Sequence, residues 1–133
     1  MDTEELLSQQ SVIINMILQL NANQVLLNKL YIPIIRNNKA TIIKSKEAKE
    51  FAKYVHIECI RQKIKPIKGQ ILFYMDILIS KRRNYDIDGT LKLLFDSLNK
   101  IAFEDDKNIV DLRVRKHLNQ EEDKLIIKIE ELK

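Results

Sequence analysis

The sequence predicts a small single domain of the α+β class, with a mixed, mostly antiparallel sheet packed against two helices. Three observations carry this. The chain has 133 residues, enough to bury one core but not two. Stretches of β-branched and apolar residues are separated by two segments of helical period. Their order is strand, hairpin, helix, strand, helix, strand, strand, which is neither a strict β–α alternation nor a run of one element type.

Residues 1–10 read as a leader, either disordered or a short helix, and residues 11–133 as the domain. Val12 to Leu20 is β-branched and apolar, a strand. Asn37-Asn38 is a turn signal between Tyr31-Ile32-Pro33-Ile34 and Thr41-Ile42-Ile43, which predicts a hairpin. Ser45 is placed to cap a helix over Lys46 to Gln62, since Ala48, Phe51, Ala52, Val55 and Cys59 recur at helical spacing. After Pro66 and Gly69, Gln70 to Ser80 is apolar on both faces and therefore central in the sheet. From Ile109 to Lys116, Val110, Leu112 and Val114 alternate with Asp111, Arg113 and Arg115, which predicts one buried and one wet face. Leu125, Ile127 and Ile129 form a last strand.

Composition narrows the class. Hydrophobic content of 45% with 32% charge is that of a water-soluble globular protein. No apolar run approaches the ~18 residues needed to span a bilayer, so no membrane is expected. The acidic start Met1-Asp2-Thr3-Glu4-Glu5 is unlike a secretory signal, which makes the cytoplasm of a bacterial cell or a phage-infected host the expected location. The lone Cys59 reads as a small buried apolar residue in a reducing compartment. Residues Pro33 to Tyr85 carry a formal charge of +9 and the remainder −5. A basic middle ahead of an acidic cluster suits a protein that draws in a polyanion with one surface and holds a cation with another.

The chemistry gathers in Tyr85 to Asp106. A helix starting near Asp88 and running to about Ile101 would bury Leu91, Leu94, Phe95, Leu98, Ile101 and Ala102. Asp88 is its expected N-cap. Asp88, Lys92 and Asp96 then lie four residues apart on one charged edge. Asp86 and Asp88, two apart before the helix, would point the same way if extended. Repelling carboxylates side by side invite a cation, and oxygen ligands without His or Cys favour Mg²⁺, with Mn²⁺ able to substitute. A helix of ~20 Å followed by an extended return of ~17 Å would bring Asp105 or Asp106 back beside Lys92. Phosphodiester hydrolysis needs that set of groups: metal-bound carboxylates, an activated water and a cation for the developing phosphate charge.

Taken singly, each feature has a bland explanation: a helix cap, an ordinary i,i+4 ion pair, a solvated acidic turn. Their joint arrangement after Lys81-Arg82-Arg83 favours a site. Asp86-Ile87-Asp88-Gly89-Thr90-Leu91 also matches the haloacid dehalogenase phosphatase signature. A polar run precedes it, however, and only 42 residues follow Leu91, too few for that fold. An EF-hand would want glycine at Leu91 and glutamate at Ser97.

Asp86, Asp88, Lys92, Asp96 and Asp105-Asp106 resemble, in order, the core pattern of the RusA family of Holliday junction resolvases. The similarity extends upstream to Ser45-Lys46-Glu47-Ala48 and downstream to Val110-Asp111 and Lys116. Gly89 stands where that family usually has asparagine. The resemblance implies a Mg²⁺-dependent endonuclease that resolves four-way DNA junctions by paired cuts, as a homodimer. Asp86, Asp88 and Asp106 would bind the metal and Lys92 would be catalytic, with Asp96 and Asp105 in support. Lys81, Arg82 and Arg83, with Lys46, Lys49 and Lys53, are expected to hold DNA phosphates. The alternative is a non-catalytic DNA-binding protein with the same fold.

Overall fold

The structure, a computed structural model, describes residues 12–21, 31–44, 46–81, 83–84 and 86–132; residues 1–10 lie outside this set. The elements are β1 (Val12–Asn21), β2 (Tyr31–Arg36), β3 (Lys39–Lys44), α1 (Lys46–Arg61), β4 (Gln70–Ser80), α2 (Ile87–Leu98), a 3-10 turn (Asp106–Asn108), β5 (Ile109–Gln120) and β6 (Lys124–Leu132). The predicted element order holds throughout.

A four-stranded sheet has the order β1-β6-β4-β5. β6 pairs antiparallel with both β1 and β4, whereas β5 lies parallel to β4. The sheet is therefore mixed and mostly antiparallel, as expected. β2 and β3 form a separate hairpin. Asn37 and Asn38 close it with φ of 52° and 62°, the left-handed pair of a two-residue turn that asparagine tolerates well.

The core lies on one face of the sheet. Ile71, Phe73, Met75, Ile77 and Ile79 of β4, with Leu125, Ile127 and Ile129 of β6, meet Ala48, Phe51, Val55 and Cys59 of α1 and Leu93, Leu94 and Leu98 of α2. Ala52, expected in this core, is half-buried. Burial of Cys59 pushes its thiol up to about 11, which keeps it an inert apolar side chain.

α1 runs antiparallel to β1 and seals the outer edge of that strand with side chains. Gln62 accepts from the Gln19 amide at 2.9 Å and donates to its carbonyl at 2.8 Å, and the Tyr54 hydroxyl accepts from the Asn21 amide at 2.8 Å. The opposite edge is different. Val110 and Leu112, predicted to be buried, are 52% and 46% exposed, and Leu118 is 48% exposed. The predicted alternation of a buried and a wet face is not observed: the pairing with β4 skips Val110, Asp111 beside it is half-buried, and Leu112 and Arg113 are both exposed. Periodicity could not reveal this irregularity, nor that β5 is the last strand, where a face has a neighbour on one side only.

The face that α2 buries also differs from the expected one. The stripe is Thr90, Leu93, Leu94, Ser97 and Leu98, with Leu91 and Phe95 at its margin. Thr90 and Ser97 look like surface residues in a sequence. Their hydroxyls donate to the Asp86 and Leu93 carbonyls at 3.0 and 2.8 Å, so both are buried without an unmet hydrogen bond.

Candidate active site

The parallel pairing of β4 and β5 decides where each acidic residue stands. β4 ends at Ser80, beside Gln120, the end of β5, and α2 starts from this end of the sheet. α2 then runs back along β4 for about 18 Å. Its C-terminus and the start of β5 therefore lie at the opposite end.

At the first end, Asp86 is the N-cap residue of α2, with extended φ and ψ of −80° and 134° and no side-chain capping bond. Asp88, the expected cap, instead lies inside the first turn, where its Oδ1 accepts from the Gly89 amide at 2.9 Å. Both carboxylates are exposed at one helix start, where the helix dipole favours negative charge. Asp88, Lys92 and Asp96 do form an exposed edge of α2. A β-carbon at Gly89 would meet nothing within 4 Å, and the residue has no left-handed φ, so no steric demand explains a glycine there.

The approach to this end is held by a residue that periodicity could not single out. Asp123 is buried; its Oδ1 accepts from the Ser80 amide at 2.9 Å, and its Oδ2 accepts from the Ser80 hydroxyl at 3.0 Å and from Arg83 at 3.2 Å. Arg83, expected to hold phosphate, is thus tied into the clamp that fixes the chain leaving β4, with half of its side chain exposed. Lys116 of β5 donates to Asn84 Oδ1 at 2.9 Å and fixes the next part of the same linker. Lys81 is exposed, and Arg82 lies outside the described residues. Because α1 runs antiparallel to β1, the exposed Lys46, Lys49 and Lys53 share this end.

Asp105 and Asp106 stand at the other end. The expected extended return does not occur, because residues 99–108 are spent on turns. α2 stops at Leu98 rather than Ile101, and Phe103 is buried against Phe73 and Phe95, with ring centroids 6.4 Å from each. The Asp106 amide donates to Asn99 Oδ1 at 2.9 Å, which holds it beside the end of α2. Asp105 caps the 3-10 turn by accepting from the Lys107 amide at 2.9 Å. That bond, with one from Asp106, pulls the Asp105 carboxyl below its ordinary range; burial and the same Asp105 contact push Asp106 above its own.

One chain thus brings Asp86, Asp88 and Lys92 together and separates them from Asp105 and Asp106. Among the described residues, no three His, Cys, Asp or Glu side chains gather as a metal cage. Also among these residues, no helix is long and apolar enough to cross a membrane.

Comparison with known proteins agrees with the sequence pattern. No individual curated protein matches the chain significantly. The family described as endodeoxyribonuclease RusA matches residues 32–130, which takes in the hairpin, both helices and both acidic groups. On that match the chain belongs to the RusA endodeoxyribonuclease family, a family of Holliday junction endonucleases.

Proposed function

We propose that this protein is a divalent-metal-dependent endodeoxyribonuclease that resolves four-way DNA junctions by paired phosphodiester hydrolysis during recombination and repair, in the cytoplasm. The observation that carries the reading is the exposed Asp86–Asp88 pair at the start of α2, with Lys92 one turn further along the same edge. A Mg²⁺ ion is held by one or two carboxylates, with water and substrate phosphates completing its shell, and Asp86 and Asp88 supply such a pair. The ion would contribute an activated water and neutralisation of phosphate charge. Lys92 would stabilise the phosphate, and Lys46, Lys49, Lys53 and Lys81 would hold the backbone around it.

The separation of Asp106 from that pair supports a homodimer in which each site draws on both chains. β5 is an edge strand with no outer strand partner among the described residues, and it carries half-exposed apolar side chains. Antiparallel pairing of two copies about Leu112 would set Leu112 against Leu112, Val110 against Val114, and Asp111 against Arg113. The same register sets the partner's Asn108 opposite Lys116, which holds Asn84 two residues before Asp86. The partner's Asp105–Asp106 turn would then lie beside the Asp86–Asp88 pair.

The test is incubation of the protein with a labelled four-way junction and a linear duplex, with and without Mg²⁺, alongside Asp88→Asn. Mg²⁺-dependent cutting of the junction that is lost in Asp88→Asn is the expected result. Junction binding without cutting under any divalent metal would favour the non-catalytic alternative.

A further inference from the structure

Among the described residues, five that are not glycine adopt left-handed φ: Asn37, Asn38, Asn119, Lys63 and Lys100. Asparagine is at home in that region; lysine is not. The chain has two glycines and neither occupies a left-handed position.

Lys63 and Lys100 each fill a place where glycine is the default. Beyond α1, the Ile64 amide donates to the Cys59 carbonyl at 2.9 Å and the Lys63 amide to the Ile60 carbonyl at 3.1 Å. These are the paired bonds of a Schellman motif with Lys63, φ 58°, at its left-handed residue. Beyond α2, the Ile101 amide donates to the Leu98 carbonyl at 3.0 Å around Asn99 at φ −57°, ψ 130°. That is a type II turn whose third position, here Lys100 at φ 70°, asks for glycine.

Both lysines lie at the same end of the domain, because both helices end there. The segments that carry them are laced together: the Ile67 amide donates to the Ala102 carbonyl at 3.0 Å and the Glu104 amide to the Ile67 carbonyl at 3.1 Å. Asn108 adds a bond to the Lys68 carbonyl at 3.4 Å. Exposed Lys65, Lys68 and Lys107 therefore share the surface. Glu104, Asp105 and Asp106 are also present, Glu131 lies beside Gly69, and Lys107 pairs with Asp105 at 3.9 Å, so five lysines share this end with four carboxylates. Service to the helix dipoles does not explain the arrangement. α1 already has Arg61 in its last turn, and a lysine within the last turn of α2 would do the same without a left-handed backbone.

We infer that Lys63 and Lys100, with Lys65, Lys68 and Lys107, form a second surface for the DNA phosphate backbone at the Asp105–Asp106 end, distinct from the lysines of α1. The inference rests on the DNA-cleaving role proposed above. It is tested with Lys63→Gly/Lys100→Gly, and with Lys63→Arg/Lys100→Arg as the charge-preserving control. Metal-free binding to a labelled four-way junction is followed by anisotropy between about 50 and 200 mM salt, and thermal unfolding is recorded in parallel. The glycine pair should unfold at the same or a higher temperature. Its salt slope should fall by about 1.8, at ~0.9 per phosphate contact, with about tenfold weaker binding at low salt; the arginine pair should retain both. Wild-type slope and affinity in a folded glycine pair overturn the inference while leaving the proposed activity intact. A wild-type protein that does not bind the junction at any salt overturns both.

Discussion

The two ends of α2 carry carboxylates under different regimes. At the start, Asp86 and Asp88 are exposed on the first turn, and the chain leading to them is clamped by the buried Asp123. At the finish, Asp105 and Asp106 are fixed by their own turn, by Asn99 and by the packing of Phe103. The first pair is exposed, and the chain before it is held by a residue distant in sequence. The second is held by bonds to its own turn and to the end of α2. Acidic residues that are close in sequence thus stand at opposite ends of a helix about 18 Å long.

If the proposed dimer is right, the largest effect comes from removing one of the two acidic groups at a time. Asp88→Asn and Asp106→Asn should each lower junction cleavage by about a thousandfold, ~4 kcal/mol of transition-state stabilisation. Mixed in equal amounts and allowed to exchange subunits, the two should regain about a quarter of wild-type cutting, because a two-fold heterodimer then owns one intact site. The products should be single nicks instead of paired cuts. No recovery in a verified heterodimer would mean that Asp106 serves its own chain or none.

Stability should report the same contrast. Asp123→Ala leaves the Ser80 amide and Arg83 without their acceptor and should cost about 2–3 kcal/mol in denaturant unfolding. Asn99→Ala, which releases a more exposed turn, should cost about 1 kcal/mol. Equal losses would show that the two ends are anchored alike. Gly89→Ala should stabilise by about 0.5–1 kcal/mol, since the position has room for a β-carbon and sits within a helix.

The smallest effect is the pH dependence at the second end. Asp106 is held above the ordinary 3.8, so its contribution to stability is complete below that value and is lost as pH rises through its folded-state pKa. Asp105 is held below 3.8, so its contribution is present above that value and is lost as pH falls through its lower folded-state pKa. Wild-type unfolding midpoints should decline above pH 3.8, and those of Asp106→Asn should lack that decline. An unchanged profile would separate Asp106 from that decline.

Much of this was legible because it is local. The alternation in Gln70–Ser80 marks a strand wanted on both sides, and Asn37-Asn38 marks a tight turn. The Asp86, Asp88, Lys92 spacing fixes three side chains relative to one helix start wherever that helix lies. The burial of Thr90 and Ser97 was not legible, since a hydroxyl looks polar until its carbonyl partner is known. Nor was the exposure of Leu112, because a strand does not state that it is last in a sheet. Asp123 gave no signal beyond a turn composition.

The order and type of the elements, the β4 core and the charged edge of α2 were readable from the sequence, since all of these follow from side-chain periodicity; the cap of α2 was not, and fell on Asp86 instead of Asp88. Tertiary structure alone decided that β5 joins β4 in parallel and that residues 99–108 turn back on the core instead of extending. Strand direction and loop path are set by long-range pairing and by the burial of Phe103, and neither leaves a period in the chain. Those two facts placed Asp106 at the far end from Asp86 and Asp88.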